Sequence, residues 1–282
     1  MPKFDKVLLA SDFDNTLVYT QGALEAGSSD VPPMCARNRE ALEYFIANGG
    51  LFSVSTGRAL PAFVNYVDTV PHNAPCILAN GAAIYDFRAE RYLVTAFIPE
   101  AVRGHMAQLL EAFPRLSFEV YHDDRRIHCM NPNAYTTAHQ HLTRTPAEIA
   151  QSFDEIDLPF IKILFEEDNA VLDAVCDFIH AQAWADDYEL IYSNSHLLEL
   201  TARGATKGKM VLRLADMLGV AREDIYCIGD HKNDIPMLEV SAIPFAPANC
   251  VPEVREAGAQ ILCHCADGAI ADVIDILDKR YK

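Results

Sequence analysis

Short apolar runs alternate with amphipathic stretches at the start of the chain. A strand-length apolar run over Lys6–Ser11 precedes a loop rich in Gly, Ser and Pro (Gly22–Pro33) and a helical pattern over Arg37–Ala47. Two further apolar runs, Leu51–Val54 and Cys76–Ala79, have the length of strands and are separated by a helix candidate. Continuous apolar strands that alternate with helices are typical of a parallel sheet covered on both faces. This pattern predicts a doubly wound α/β unit.

The pattern changes from about Asp86 onward. Helical spacing over Pro99–Phe113 and Asn169–Ala183 now stands apart from the strand-length segments. Those segments are Leu116–Tyr121 with Arg126–Met130, Pro159–Phe165, and Tyr188–Ser193 with His196–Thr201. Helices that are segregated from antiparallel hairpins indicate an α+β unit.

The α/β alternation then returns. Its first predicted elements are a helix over Lys207–Leu218, a strand over Ile225–Ile228 and a helix whose first residues are Ile235–Val240. A strand over Ala259–Leu262 and a helix over Gly268–Leu277 follow. One domain inserted into another is the simplest arrangement that gives this order. We expect a Rossmann-like, doubly wound core built from residues 1–85 and 190–282, and an inserted α+β cap over residues 86–189.

Polar clusters follow the predicted parallel strands at their carboxyl ends. In chain order they are Asp12-Phe13-Asp14-Asn15-Thr16, Ser55-Thr56-Gly57-Arg58, Asn80-Gly81-Ala82 and Gly229-Asp230-His231-Lys232-Asn233-Asp234. Open α/β sheets bind their ligands at this edge. The spacing therefore predicts one site assembled from all four clusters.

Most of these clusters also have an ordinary structural explanation. Asp12 and Asp14 are carboxylates that a turn could bring to one site, or they belong to a capped turn. The hydroxyls, backbone N–H groups and guanidinium of Ser55–Arg58 suit a phosphate, but they also suit a helix N-cap. Lys207 lies in a first helical turn, where a cation opposes the helix dipole unless an anion is near, although it could be a solvated lysine.

The cluster around Asp230 and Asp234 carries the sharpest signal. Its carboxylate oxygens gather at one sheet edge, and hard oxygen ligands are what Mg²⁺ requires. A polar loop with helix caps is the alternative. The pattern favours a magnesium site.

Composition and charge narrow the class of protein. Of 282 residues, 23 are Lys or Arg and 40 are Asp or Glu, which gives a formal net charge of −17, and half of the chain is hydrophobic. These values exclude a disordered chain and argue against a nucleic acid or an anionic membrane as partner. The first residues become acidic too early for a signal peptide and no apolar run reaches membrane-spanning length, so we expect a cytoplasmic protein.

The eight cysteines are mostly scattered singly in apolar stretches and are interpreted as small buried side chains. Cys263-His264-Cys265 could suggest a metal site. It lacks a second pair of ligands at zinc spacing, so a structural role is favoured.

Together the motifs resemble those of the haloacid dehalogenase superfamily in order and spacing. They are Asp12-Phe13-Asp14-Asn15-Thr16-Leu17, Ser55-Thr56-Gly57-Arg58, Lys207 and Gly229-Asp230-x-x-Asn233-Asp234, with support from Asn80-Gly81-Ala82, Ile84-Tyr85-Asp86, Leu198-Glu199-Leu200-Thr201 and Asp267-Gly268-Ala269-Ile270. Nearly the whole chain looks like a Cof-like phosphatase with a type IIB cap.

This resemblance implies a role for each motif. Asp12 would be the nucleophile that forms an aspartyl-phosphate, and Asp14 would protonate the leaving alcohol and then activate water. The phosphoryl group would be held by Thr56, Lys207 and Asn233. Mg²⁺ would be bound by Asp12, the backbone carbonyl of Asp14, Asp230 and, directly or through the outer shell, Asp234. The cation and the lysine would reduce the repulsion between a carboxylate and an anionic phosphate.

Several residues are candidates for substrate contact or depart from the family pattern. The candidates in the core are Gly57, Arg58 and Asn80, and those in the cap are His122, Arg125, Arg126, His128 and Lys162, of which most are expected to be exposed hairpin side chains. Asn15 stands where the family usually has Gly, and Asn tolerates a left-handed backbone. Lys232 adds a positive charge near the metal loop. The segment that ends at Asn249 differs from the family's usual one, so no role is assigned to Asn249.

The expected function is that of a Mg²⁺-dependent phosphatase acting on a small phosphomonoester, such as a sugar phosphate or a phosphorylated cofactor, as a monomer or homodimer. The inserted domain would close over the site and select the leaving group. One alternative is a phosphomutase similar to phosphomannomutase, which would isomerise a sugar phosphate without releasing inorganic phosphate. The other is a non-catalytic phosphate-binding module.

Overall fold

Three sheets and the helices around them make up the part of the chain that the computed structural model describes, residues 2–28 and 30–281. The strands are β1 (Leu8–Ser11), β2 (Leu51–Val54), β3 (Cys76–Leu78), β4 (Ala83–Asp86), β5 (Arg91–Thr95), β6 (Phe118–Tyr121), β7 (Ile127–Met130), β8 (Glu148–Ile149), β9 (Lys162–Glu166), β10 (Tyr188–Asn194), β11 (Leu197–Ala202), β12 (Ile225–Ile228), β13 (Pro244–Ala246) and β14 (Gln260–Ile261). The α-helices are α1 (Thr20–Glu25), α2 (Ala36–Ala47), α3 (Leu60–Phe63), α4 (Val102–Ala112), α5 (Ala134–Thr143), α6 (Asn169–His180), α7 (Lys207–Leu218), α8 (Ile235–Leu238), α9 (Pro252–Glu256) and α10 (Ala269–Arg280).

The core contains a five-stranded parallel sheet in the order β14-β13-β12-β1-β2. Every residue of β1 is buried, which fits a strand covered on both faces. Leu9 packs in one apolar cluster with Phe45 of α2 and with residues of α10, whereas Leu8 and Ala10 pack in another cluster with Leu214 of α7. Helices therefore cover both faces, and the predicted doubly wound α/β core is confirmed.

One edge of the core sheet differs from the prediction. The segment expected as a third parallel strand over Cys76–Ala79 ends at Leu78 as β3, and it pairs antiparallel with β4, which in turn pairs with β5. A single parallel bridge between Ser55 and Ile77 connects it to the main sheet. The loop expected over Gly22–Pro33 is also shorter, because α1 extends into it.

The inserted unit is built on a six-stranded sheet in the order β10-β11-β9-β6-β7-β8. All of its pairings are antiparallel except that of β7 with β8, which agrees with the predicted α+β cap. β10 and β11 lie in this sheet, although the expected boundary assigns residues 190–282 to the core. β5 pairs with β4 of the core, although the expected cap starts at residue 86. We propose that the cap begins after β5 and ends after β11.

The cap sheet has one apolar and one polar face, since side chains alternate along each strand. Phe118 and Val120 of β6 point into an apolar cluster with residues of α4 and α6. Glu119 and Tyr121, the alternate residues, lie on the opposite face and are nevertheless buried. This polar face covers the carboxyl ends of the core strands, because Tyr121 lines the same cavity as Asp12. Among the described residues, no helix is both long enough and apolar enough to cross a membrane.

Candidate active site

A cavity of about 220 Å³ separates the carboxyl ends of the core strands from the polar face of the cap sheet. From the core it is lined by residues that include Asp12, Asp14, Gly57, Arg58, Asp230 and Asn233. From the cap it is lined by residues that include Tyr121, His139, Lys162, Ser193 and Glu199. The cavity therefore brings together the predicted catalytic residues and a set of cap side chains, which is the arrangement expected where a ligand binds an open α/β sheet.

Lys207 lies at the base of the site and is fully buried. Its Nζ donates hydrogen bonds of 2.6 Å to Asp12 Oδ1 and 2.6 Å to Asp234 Oδ1. Burial alone would lower the pKa of Lys207, but the two carboxylates outweigh it and raise that pKa above its usual value. Lys207 is therefore a fixed positive charge beside the predicted nucleophile.

The start of α7 holds Lys207 in this position. Thr206 caps the helix by accepting a hydrogen bond from the backbone N–H of Lys209 at 3.3 Å. Gly208 lets the helix approach α8, because a Cβ at this position would come within 2.0 Å of the Pro236 carbonyl oxygen. Glycine therefore permits the packing that places Lys207 between the two carboxylates.

Three buried carboxylates gather beside that lysine. Asp12, Asp230 and Asp234 each offer an oxygen within 4.8 Å of the others. Burial raises the pKa of Asp12 to about 7, against the opposing effect of Lys207. Burial also raises the pKa of Asp230 well above its usual range, and the charge of Asp12 adds to that effect. One lysine does not balance three carboxylates, so this all-oxygen cluster fits a divalent cation such as Mg²⁺.

Asp234 is also bound within its own loop. Its Oδ2 accepts backbone N–H bonds from Asp230 at 2.9 Å and from His231 at 3.0 Å. Thr16 in turn donates to Asp230 Oδ1 at 2.8 Å and connects this loop to the one that carries Asp12. Asp234 therefore shapes the loop and holds Lys207, while the carboxylate of Asp230 stays closer to the cavity, which it lines.

Asp14 is held by a bidentate contact with Arg58. Arg58 Nε donates to Asp14 Oδ2 at 2.8 Å, Nη2 donates to Oδ1 at 2.9 Å, and Thr20 donates to Oδ1 at 2.6 Å. Burial acts to raise the pKa of Asp14, but Arg58 outweighs it and the pKa lies below its usual value. The structure therefore shows Arg58 bound to the predicted acid–base residue, while Arg58 also lines the cavity and stays a candidate for substrate contact.

Two of the three predicted phosphate-binding residues, Thr56 and Asn233, are hydrogen-bonded to Asn80. The Asn80 N–H donates to the Thr56 carbonyl at 3.0 Å, and Asn233 Nδ2 donates to Asn80 Oδ1 at 2.9 Å. Asn80 has a left-handed backbone with φ of 54°, and a Cβ on Gly57 would come within 3.0 Å of its Nδ2. Gly57 and Asn233 line the cavity, whereas Thr56, Asn80 and Lys207 lie just behind that lining.

The departures from the family pattern have structural explanations. Asn15 has φ of 59°, the left-handed conformation that the sequence analysis allows for it. Asn249 supports the same loop, since its Nδ2 donates to the Asn15 carbonyl at 2.8 Å and its Oδ1 accepts from the Cys265 N–H at 3.0 Å. Lys232 does not supply charge to the site, because its Nζ pairs with Glu253 at 2.7 Å.

Of the five cap candidates, only Lys162 is among the described residues that line the cavity. Its Nζ donates to the Gly57 carbonyl at 3.2 Å and lies 3.3 Å from Glu199 Oε2. The others lie on their own hairpin: Arg126 pairs with Asp124 at 2.6 Å, and His122 lies 2.9 Å from His128. The prediction that most of the five are exposed is wrong, because only Arg125 and Arg126 are exposed, whereas His122 and Lys162 are buried.

Five cap residues near the cavity are absent from the sequence-based candidates. They are Glu119, Tyr121, His139, Glu166 and Glu199, of which Glu119 and Glu166 are completely buried. Alternation along the strands carries a usable signal, because a charged residue between apolar ones marks the second face of the sheet. No such signal exists for His139, since the hydrophobic pattern predicts no element between residues 131 and 158.

Comparisons with known proteins agree with this arrangement. A family model described as haloacid dehalogenase-like hydrolase matches residues 9–274. The 5-amino-6-(5-phospho-D-ribitylamino)uracil phosphatase YwtE of Bacillus subtilis is 26% identical over 97% of this chain and 99% of its own.

Two solved structures have the same fold. A haloacid dehalogenase-like hydrolase from Bacteroides thetaiotaomicron superposes with a TM-score of 0.81 at 21% identity, covering 96% of this chain and 99% of that one. The subclass IIB sugar phosphatase BT4131 superposes with a TM-score of 0.79 at 20% identity, covering 96% and 98%. The family match spans most of the chain and includes both halves of the core. The chain therefore belongs to the haloacid dehalogenase-like hydrolase family.

Proposed function

We propose that this protein is a Mg²⁺-dependent phosphomonoester hydrolase that works through an aspartyl-phosphate on Asp12. The observation that carries the proposal is the position of Lys207, a fully buried cation that lies behind the cavity lining and donates to Asp12 at 2.6 Å. A lysine there compensates the negative charge of both a carboxylate nucleophile and a phosphoryl group. The phosphatases among the relatives support the same reaction class.

In the first step, an Asp12 carboxylate oxygen attacks phosphorus, a P–O bond to Asp12 forms, and the P–O bond to the alcohol breaks. Lys207, Thr56 and Asn233 would hold the phosphoryl oxygens through their N–H and O–H groups. In the second step, water attacks the same phosphorus, inorganic phosphate leaves and Asp12 is restored. Both displacements take place at one phosphorus atom beside one fixed lysine.

Asp14 would move the proton in each step. The leaving alkoxide takes a proton from Asp14, and the attacking water later returns a proton to it. The contact with Arg58 lowers the pKa of Asp14, which favours the carboxylate needed in the second step. Loss of that contact during turnover would raise the pKa of Asp14 toward the protonated form needed in the first step.

Mg²⁺ fits the oxygen cluster of the core. It would be held by Asp12, Asp230 and the backbone carbonyl of Asp14, with Asp234 acting through Lys207 and the loop N–H groups that it binds. When bound, the cation supplies charge neutralisation between the nucleophile and the phosphoryl oxygens.

For the substrate we propose a small phosphomonoester rich in hydroxyl groups. The cap side of the cavity presents Tyr121, Lys162, Ser193 and Glu199, which can donate and accept hydrogen bonds. The names of two similar proteins, a ribitylamino-uracil phosphatase and a sugar phosphatase, describe substrates of this kind. A screen of phosphorylated metabolites, with released phosphate as the readout, identifies the substrate. Isomerisation of a sugar phosphate without phosphate release would instead identify a mutase, and phosphate binding without turnover would identify a non-catalytic module.

Chelation of divalent cations should abolish the activity of the enzyme reversibly. The three buried carboxylates of the core hold a negative charge that one lysine does not balance, so catalysis should depend on the added cation. We expect EDTA treatment to remove hydrolysis of p-nitrophenyl phosphate and excess Mg²⁺ to restore it. Full activity in buffer stripped of metal would contradict the metal assignment.

Arg58→Lys should lower kcat and leave KM nearly unchanged. Lysine keeps the charge but cannot make the bidentate contact that orients Asp14. We expect kcat for an alkyl phosphate to fall about tenfold to a hundredfold. Arg126→Lys, which changes a bond to Asp124 on the cap hairpin, is the matched control. A rise in KM at constant kcat would mean that Arg58 binds substrate instead of positioning Asp14.

A further inference from the structure

The polar face of the cap sheet holds a second cluster of ligand-type side chains, away from the core carboxylates. Glu119 of β6 and Glu166 of β9 approach His139 of α5. His139 Nδ1 lies 2.8 Å from Glu166 Oε1 and 3.3 Å from Glu119 Oε2. Both glutamates have no exposed surface, and His139 is largely buried. Two buried carboxylates with one imidazole require compensation, because an unpaired buried charge is costly.

The contacts of His139 with the two glutamates are close but poorly directed for hydrogen bonds. Among the described residues, neither carboxylate oxygen of Glu166 has a hydrogen-bond partner, and neither does His139 Nδ1. The distances from His139 Nδ1 to both glutamates would allow hydrogen bonds. The angle at the donor, and not the distance, is therefore what does not suit a hydrogen bond. One ligand atom from each of Glu119, His139 and Glu166 lies within 4.8 Å of the others, a spacing at which all three can reach one cation.

Neighbouring side chains hold Glu119 in place. Tyr121 donates its hydroxyl to Glu119 Oε2 at 2.5 Å, and Gln140 Nε2 donates to Glu119 Oε1 at 2.7 Å. Hydrogen bonds of this kind typically orient the carboxylates that bind metals. Lys162, the nearest lysine on the same face, pairs with Glu199 at 3.3 Å, and no hydrogen bond joins it to Glu166.

We propose that Glu119, His139 and Glu166 form a second cation site, in the cap, for a transition-type divalent cation of the Zn²⁺ class. One imidazole and two carboxylates make a donor set that suits Zn²⁺, whereas the all-oxygen cluster of the core suits Mg²⁺. Three protein ligands leave a coordination position for water. His139 and Tyr121 line the cavity, so the cation site lies on the cap side of the cavity in which we propose that the substrate binds. This inference does not depend on the proposed phosphatase reaction.

The test is a Zn²⁺ titration of the full chain after removal of metals with a chelator, in the presence of saturating Mg²⁺. Calorimetry should find one equivalent of Zn²⁺ that Mg²⁺ does not displace, and X-ray absorption of the bound zinc should show imidazole scattering. His139→Asn and Glu166→Gln should each weaken this binding by at least about tenfold. His196→Asn and Glu148→Gln, which change exposed cap residues, and Asp230→Asn in the core should retain it.

Two results would overturn the proposal. One is a wild-type protein that binds no Zn²⁺ in excess Mg²⁺, which would leave the cluster as an imidazolium held between two carboxylates. The other is variants at His139 and Glu166 that bind as much Zn²⁺ as the controls. Circular dichroism checks that the variants are folded. If a variant is unfolded, the zinc titration and the X-ray absorption spectrum of the wild-type protein test the proposal without it. If no zinc binds at Glu119, His139 and Glu166, the proposal of Mg²⁺-dependent hydrolysis is unaffected. If the protein does not hydrolyse phosphomonoesters, the proposal of a cation site in the cap is unaffected.

Discussion

Asp12→Asn should abolish hydrolysis of p-nitrophenyl phosphate while leaving the protein folded. An amide is too weak a nucleophile to form the bond to phosphorus, so we expect kcat to fall at least about a thousandfold. The amide oxygen can still accept the hydrogen bond from Lys207, which preserves the packing at the base of the site. Steady-state kinetics at saturating Mg²⁺ measures the loss, and circular dichroism checks the fold.

The matched control for this variant is Asp124→Asn. Asp124 lies on the cap hairpin and pairs with Arg126, away from the described residues that line the cavity. It undergoes the same chemical change, so it should retain wild-type turnover. Equal rates in Asp12→Asn and the control would eliminate Asp12 as the nucleophile.

Lys207→Met should cost both stability and activity. Methionine approximates the volume of the lysine stem, but it leaves Asp12 and Asp234 buried without their shared cation. Removing one partner of a buried ion pair costs about 3–5 kcal/mol of folding free energy. We expect chemical denaturation without metal to show a loss of this size, and kcat/KM with Mg²⁺ to fall at least about a hundredfold.

Lys209→Met is the control for that experiment. Lys209 is exposed on the same helix, so its replacement should change neither property appreciably. Added Mg²⁺ should recover part of the stability of Lys207→Met, since a cation at the core carboxylates offsets some of the uncompensated charge. If both variants unfold at the same denaturant concentration, Lys207 is not the counter-charge of Asp12 and Asp234.

The core and its polar clusters could be predicted because local signals define them. β1 is a continuous apolar run, and Asp12 follows it directly. Parallel strands place their carboxyl ends at one edge, so residues far apart in sequence, such as Asp12 and Asp230, are expected to meet there. The structure brings them together in one cluster, while the chemical role of each remains a prediction.

The edges of the fold could not be predicted from local pattern. β10 and β11 form a hairpin whose sheet depends on pairing with β9, about thirty residues away in the chain. That pairing moves the proposed end of the cap past the predicted residue 189. β3 likewise is an apolar run that suits either a parallel or an antiparallel strand, and its partner β4 decides the matter.

The partners of individual side chains also could not be predicted from the sequence. Arg58 follows a motif that suits phosphate, yet in the structure its guanidinium is bound to Asp14. Lys232 stands within the loop that carries Asp230 and Asp234, and its side chain pairs with Glu253. His139 reaches Glu119 and Glu166 only because α5 packs against the polar face of the cap sheet. Contacts of this kind depend on which elements lie side by side, and spacing along the chain does not encode that.

Trapping the phosphorylated enzyme tests most directly whether Asp12 is the nucleophile. Asp14→Asn should slow hydrolysis of the intermediate, whereas p-nitrophenolate leaves without needing a proton, so the phosphoenzyme should accumulate in this variant. Mass spectrometry of acid-quenched protein should find one added phosphoryl group, located on the peptide that contains Asp12. A phosphoryl group on another residue, or steady release of phosphate from wild-type enzyme with no trapped species in the variant, would contradict the account.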